Sequence, residues 1–205
     1  MYFMKKETDY LQSSIWYKQE ITDPYQLLAE FFSTYNVSYM RKAVQQIIRA
    51  ACSSYVWNKG TPEDLLFHFE NMESVINACF IINLEQKKSP IEVNNEQLFN
   101  RNLFRSWQAN YTDWDEVPKF LSIKEYHNPY LCIKKFFKYH NIHKWKGLLN
   151  KILQYAFSSD SIYEEIIDFD TLMVLNKLTG LIEAVHLIDV RENIHIGGLL
   201  KNQRK

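Results

Sequence analysis

The chain has 205 residues, 46% apolar and 23% charged, enough to bury about 70% of the surface its unfolded form would expose. Its formal net charge is zero, so no global field draws it to nucleic acid or to an anionic membrane. Five glycines and five prolines leave little turn chemistry for an all-β fold, and three widely separated cysteines in apolar helical patterns read as buried reduced thiols rather than a disulfide framework.

Taken in order, residues 8–20 place Leu11, Ile15 and Trp16 on one face, which predicts a short helix. Asp23-Pro24 opens a stronger one. Asp accepts from the free N–H groups of the first turn, and Pro at the first position gives up a donor that had no partner. The stripe Leu27, Leu28, Phe31 and Phe32 carries this helix over 24–35, and Asn36 is expected to end it, since Asn tolerates the left-handed conformation. A second helix over 39–53 follows from Met40, Val44, Ile47, Ile48 and Ala51. Thr61-Pro62-Glu63-Asp64 starts a third that runs to about Leu84, with a capping Thr and acids facing the positive end of the helix dipole.

Glu85–Asn94 is polar, holds Pro90 and reads as a loop. Phe99, Leu103, Trp107 and Tyr111 share a face and predict a joining helix over 95–111. Thr112–Pro118 reads as irregular, and Ser122-x-x-Glu125 as a small capping box. The tail 191–205, with Gly197-Gly198 and closing basic residues, is expected to be frayed or disordered.

What lies between repeats the beginning. Shifted by 105 positions, Pro24, Tyr25, Phe31, Phe32, Asn36, Ile47, Ala51, Ser53 and Ser54 each meet an identical residue. At 106, Leu66, Ile76, Ala78 and Ile82 meet Leu172, Ile182, Ala184 and Ile188. The second copy therefore predicts helices over 129–140 and 144–158 and a third beginning near Ser161, which Asp168-Phe169-Asp170 could interrupt; Asn141 is expected to end the first of them. The fold class expected is all-α: two tandem copies of a three-helix unit and a joining helix, packed as one helical body. The organisation is an N-terminal segment (1–22), copy 1 (23–84), linker (85–127), copy 2 (128–190) and tail (191–205).

The sharpest chemical candidate is basic. From Asn128 to Ser159 there is no Asp or Glu, while Lys134, Lys135, Lys138, Lys144, Lys146 and Lys151 supply positive charge, mostly off the apolar stripe. Two helices joined by a short turn also have the outline of a helix-turn-helix, so this face is a candidate polyanion-binding surface. The plainer explanation is a solvated lysine face, favoured by the neutral total charge and by the absence of Arg, the side chain that most often reads bases. Trp57, Trp107 and Trp114, in or beside connecting segments, are candidates for a partner-binding surface, weighed against aromatics that merely cap the core.

Other chemistry is weaker. His140-x-x-His143 with Cys132 and His127 superficially resembles a ligand set, but no Cys-x-x-Cys or His-Glu-x-x-His pattern supports a metal, and His143 reads as a helix cap. His186 reads as a packed core histidine. The acids at Asp113-x-Asp115-Glu116 and Glu164-Glu165-x-x-Asp168-x-Asp170 read as dipole partners and solvated faces. No glycine-rich phosphate loop and no nucleophile elbow is present, so no catalytic residue, cofactor or metal is assigned. No basic-then-apolar leader opens the chain, and no apolar run approaches bilayer length, so a cytoplasmic protein without a membrane partner is expected. The function these residues favour is a non-catalytic helical interaction or adaptor protein that takes a protein or peptide in a groove between its two copies. The alternative is a nucleic-acid-associated regulator using residues 134–151.

Overall fold

The computed structural model describes residues 12–13, 19–85, 93, 95–98, 100–106, 114–192, 195–196 and 199–200. Among these the fold is all-α, with seven helices: α1 Pro24–Thr34, α2 Val37–Ala51, α3 Pro62–Glu85, α4 Ile123–His127, α5 Tyr130–Tyr139, α6 Ile142–Ala156 and α7 Thr171–Glu192.

Local chemistry sets the helix starts. Asp23 accepts from the Tyr25 and Gln26 backbone N–H groups at 2.8 and 3.2 Å. Thr61 and Asp64 cap α3 reciprocally, the Asp64 carboxylate receiving the Thr61 N–H at 2.8 Å and the Thr61 hydroxyl receiving the Asp64 N–H at 3.2 Å. Ser122 and Glu125 form the full capping box of α4. Asn36 and Asn141 correct the expectation for helix ends: both are extended, not left-handed, and both start the next helix, accepting from Tyr39 N–H at 2.7 Å and Lys144 N–H at 2.9 Å. An Asn in a two-residue connection has an end behind it and four free N–H groups ahead, and its short side chain reaches the donors. His143 lies inside α6 and is not its cap.

Two further elements differ from the sequence pattern, and a third takes the interruption that the pattern allowed. The segment expected as a joining helix holds two 3-10 turns, Asn95–Gln97 and Arg101–Leu103; Phe99, Trp107 and Tyr111 lie outside the described residues. Gln12–Ser13 pairs antiparallel with Gln19–Glu20 where the periodicity predicts a helix, whose remaining residues likewise lie outside the description. The Asp168–Asp170 stretch separates a capped 3-10 turn, Ile162–Glu164, from α7, which starts at Thr171 with Asp170 accepting from Met173 N–H at 2.9 Å.

The helices pack through a small set of pairings. Helix α1 lies against α3 and α7; α5 lies against α7 and α3. Helix α2 lies against α7 and α6 against α3, and α2 and α6 lie against each other. So α2 packs on α7 and α6 on α3, and the helices α1–α3 and α5–α7 interlock. The four-helix junction is filled by Val44, Ile47 and Ile48 from α2, Leu149 and Ile152 from α6, Phe69 and Met72 from α3 and Leu178 from α7, around an apolar void of about 20 Å³. Phe32 meets His186 edge-on at 5.0 Å and 64°, and Phe137 meets Phe80 at 5.3 Å and 72°.

Helices α3 and α7 are the two central elements, and by length and composition alone each is apolar enough to cross a bilayer. That corrects the expectation that no apolar run reaches such a length. Their apolar surface is largely spent on packing, with 67% of the relevant window of each buried in this fold.

A polar latch holds the segment before α4 onto α7. The Glu183 carboxylate, fully buried, receives the Arg41 Nη1 proton at 2.7 Å and the backbone N–H groups of Lys119 and Phe120 at 2.8 and 2.7 Å. Arg41 Nη1 also donates to the Val117 carbonyl at 2.9 Å. Buried Glu116 receives both the N–H and the hydroxyl of Ser106 at 2.7 Å. Arg191, at the very end of α7 where the tail is expected to fray, is buried and donates to the Leu103 and Tyr126 carbonyls at 2.9 and 2.6 Å. Under the 106-residue shift Glu183 stands where Asn77 stands in α3. Asn77 also holds a segment outside its helix, donating to the Gln12 carbonyl at 2.9 Å.

Candidate functional site

Helices α5 and α6 carry the lysine face, and the structure divides it. Lys135 pairs with Glu125 of α4 at 2.9 Å, Lys146 with Glu73 of α3 at 3.2 Å, and Lys151 with Glu165. None of these acids lies in the acid-free stretch that made the face conspicuous. Lys134, Lys138 and Lys144 are exposed and have no acidic partner among the described residues.

Two of the free lysines border a groove. It lies between the C-terminal part of α3 and the outer face of α5, with a volume of about 510 Å³. Buried Ile82 and Ile133 and half-buried Phe137 form the apolar base of its wall, while Leu131, Lys134 and Lys138, which also line it, are exposed. Asn83 and Tyr130 add uncharged polar groups. Burial pushes the Tyr130 hydroxyl well above its ordinary range, helped by Tyr25 and Glu192 beside it, so it stays protonated. Helical periodicity sets this arrangement. Ile133 and Phe137 are four apart and face inward, while Lys134 and Lys138 follow them by one position and turn outward beside them.

The three tryptophans have separate settings. Trp57 is half-buried, and its backbone N–H donates to the Ala156 carbonyl at 2.8 Å, tying the loop after α2 to the end of α6. Beside it Arg49, Ser53, Tyr55 and Lys59 line a second cavity of about 550 Å³. Trp114 is 48% exposed and carries the Arg101 guanidinium over its ring at 4.2 Å, with Phe104 nearby. No described contact joins Trp57 to Trp114, and Trp107 lies outside the described residues.

The remaining titratable groups are occupied structurally. His186 is fully buried and donates from Nε2 to the Phe104 carbonyl at 2.8 Å. Its Nδ1 has no partner among the described residues, so a second proton there would go unmet. Burial holds its pKa below the ordinary value, with Glu116 opposing and Arg41 and Arg191 reinforcing the shift. His68 shares a hydrogen bond with the Tyr39 hydroxyl at 3.1 Å, stands in an aromatic cluster with Tyr35, and is also shifted down by burial. All three cysteines are free, Cys52 and Cys132 only half-buried. Burial raises the Cys132 thiol to about 12 and the Cys79 thiol well above its usual value, which is the wrong direction for a nucleophile. Of the acidic clusters, Glu164 completes a capping box, Asp170 caps α7 and Glu116 is consumed by Ser106. Among the described residues no three His, Cys, Asp or Glu side chains gather as a metal site.

The groove and the buried acid–base cluster were not readable beforehand. Ile82 and Lys134 meet only through the packing of α3 on α5, and a lone Glu in a helical pattern reads as solvent-facing. Comparison with protein-family models, with curated proteins and with solved structures finds no match to this chain.

Proposed function

We propose that the chain is a duplicated helical unit folded about a pseudo-two-fold axis. It acts as a non-catalytic interaction protein that takes a protein or peptide partner in the groove between α3 and α5. Several observations support the duplication: the paired helix contacts, the matched caps Asn36 and Asn141, the matched ring pairs, and the parallel roles of Asn77 and Glu183. The observation that carries the function is the composition of the groove: one wall from each copy, an apolar floor and a rim open to solvent. Peptide-binding grooves between helices are built this way, with apolar anchors giving affinity and rim groups giving selectivity.

The alternative, a nucleic-acid-associated regulator, has the exposed Lys134, Lys138 and Lys144 in its favour. It has less support than the adaptor reading because Lys135, Lys146 and Lys151 are engaged by acids within the fold.

The test is a photo-crosslinking amino acid at Leu131, on the groove rim, compared with the same residue at Ile167, which is 87% exposed outside the groove. The expected result in the protein's own cells is discrete adducts from position 131 that position 167 does not give. Identical adducts, or none from 131, would remove the groove reading.

A further inference from the structure

We infer that the α3–α5 groove selects an acidic peptide segment bearing an apolar anchor side chain; this rests on the interaction reading above and specifies its partner. Positive charge stands beside apolar surface there. Lys134 and Lys138 lie one turn apart on the groove side of α5, are exposed, and have no acidic partner among the described residues. Among the described residues no carboxylate lines the groove, and Glu192 bears on it through Tyr130, at the opposite end of α5 from Lys138. The site is therefore polarised, positive toward the C-terminal end of α5.

The other half of the chain serves as an internal control. The positions matching Lys134, Lys138 and Leu131 are Ala29, Ser33 and Gln26 on α1, while those matching the floor residues Ile133 and Phe137 are Leu28 and Phe32. The inward positions stay apolar in both halves, as packing requires. Only the outward positions of α5 have become two cations and an aliphatic side chain, and packing does not require that change. An apolar side chain seated on half-buried Phe137 and exposed Leu131, with carboxylates of the same segment reaching Lys134 and Lys138, satisfies both features.

The experiment is selection from a random peptide library displayed on phage against the immobilised full chain. Selected peptides are then measured by fluorescence anisotropy on the wild-type protein, Lys134→Glu/Lys138→Glu and Leu131→Asp. All three substituted positions are surface sites, and circular dichroism confirms that each variant folds. The expected outcome is enrichment of Asp and Glu around an aromatic or aliphatic residue, affinity that falls with added salt, and a loss of roughly tenfold or more in the double lysine variant. Apolar peptides without acidic enrichment, weakened by Leu131→Asp but not by the lysine reversals, would overturn this inference and leave the groove reading standing. Peptides indifferent to both variants, or no enrichment at all, would overturn both.

Discussion

Arg41 and Glu183 form an ion pair at 2.7 Å with 6% and none of their side-chain surfaces exposed, bridging α2 to α7. A pair this deep is tolerable only because the Glu183 carboxylate has two further donors, the Lys119 and Phe120 N–H groups, and Arg41 a further acceptor in Val117. Removing one partner leaves the others stranded. Glu183→Ala is expected to cost about 3–5 kcal/mol of unfolding free energy in urea, whereas Arg41→Met/Glu183→Leu together should cost less than Glu183→Ala alone. A single-variant loss under about 1 kcal/mol would show that the latch does not hold the segment before α4.

Trp145 is fully buried, stacks on Phe136 at 4.1 Å and 9°, and donates its indole N–H to the Phe136 carbonyl at 3.1 Å. Its counterpart under the 105-residue shift is Met40, also fully buried. Trp145→Ala should cost about 3–5 kcal/mol, and Trp145→Met should recover part of that loss because the matching site already accommodates Met. Equal costs for the two variants in thermal and chemical denaturation would count against equivalent environments.

His186 gives the fold a direction of pH dependence. Its folded pKa lies below the ordinary value near 6.5, so the unfolded chain binds the proton more readily. Its contribution is complete above about pH 6.5 and is lost as pH falls toward the folded pKa. Urea denaturation at pH 7.5 and 5.5 should show lower stability at the acid end. His186→Phe, which installs the residue found at the matching position 80, should flatten part of that slope. An unchanged slope would assign the pH dependence elsewhere.

Ion pairing within the fold predicts weak polyanion binding. With Lys135, Lys146 and Lys151 engaged, duplex and single-stranded DNA should bind weakly, and affinity should fall only shallowly between about 50 and 200 mM salt. Glu73→Gln with Glu125→Gln should strengthen binding by freeing Lys146 and Lys135. Steep salt dependence in the unaltered protein would restore the regulator reading.

Local chemistry was legible in the sequence, and long-range packing was not. Asp23-Pro24, Thr61-Pro62 and Ser122-x-x-Glu125 act through contacts within four residues, so their helix starts were readable. Asn36 was misread because its chemistry suits either end of a connection, and only the neighbouring N–H groups decide. The stripe Phe99, Leu103, Trp107 and Tyr111 suggested a continuous helix. Among the described residues, Phe104, one position off that stripe, is buried in a cluster with Leu187 and carries the carbonyl that meets His186. The groove and the ion-paired lysines needed partners from α3, α4 and the turn before α7, information that no local pattern contains.

The most direct test of the groove is a nuclear magnetic resonance titration of the isotope-labelled full chain with the tightest peptide from the library. The account predicts amide shifts concentrated at Ile82, Asn83, Leu131, Lys134, Phe137 and Lys138, and their loss in Leu131→Asp. Shifts centred on the Trp57 cavity, or spread evenly over the molecule, would contradict it.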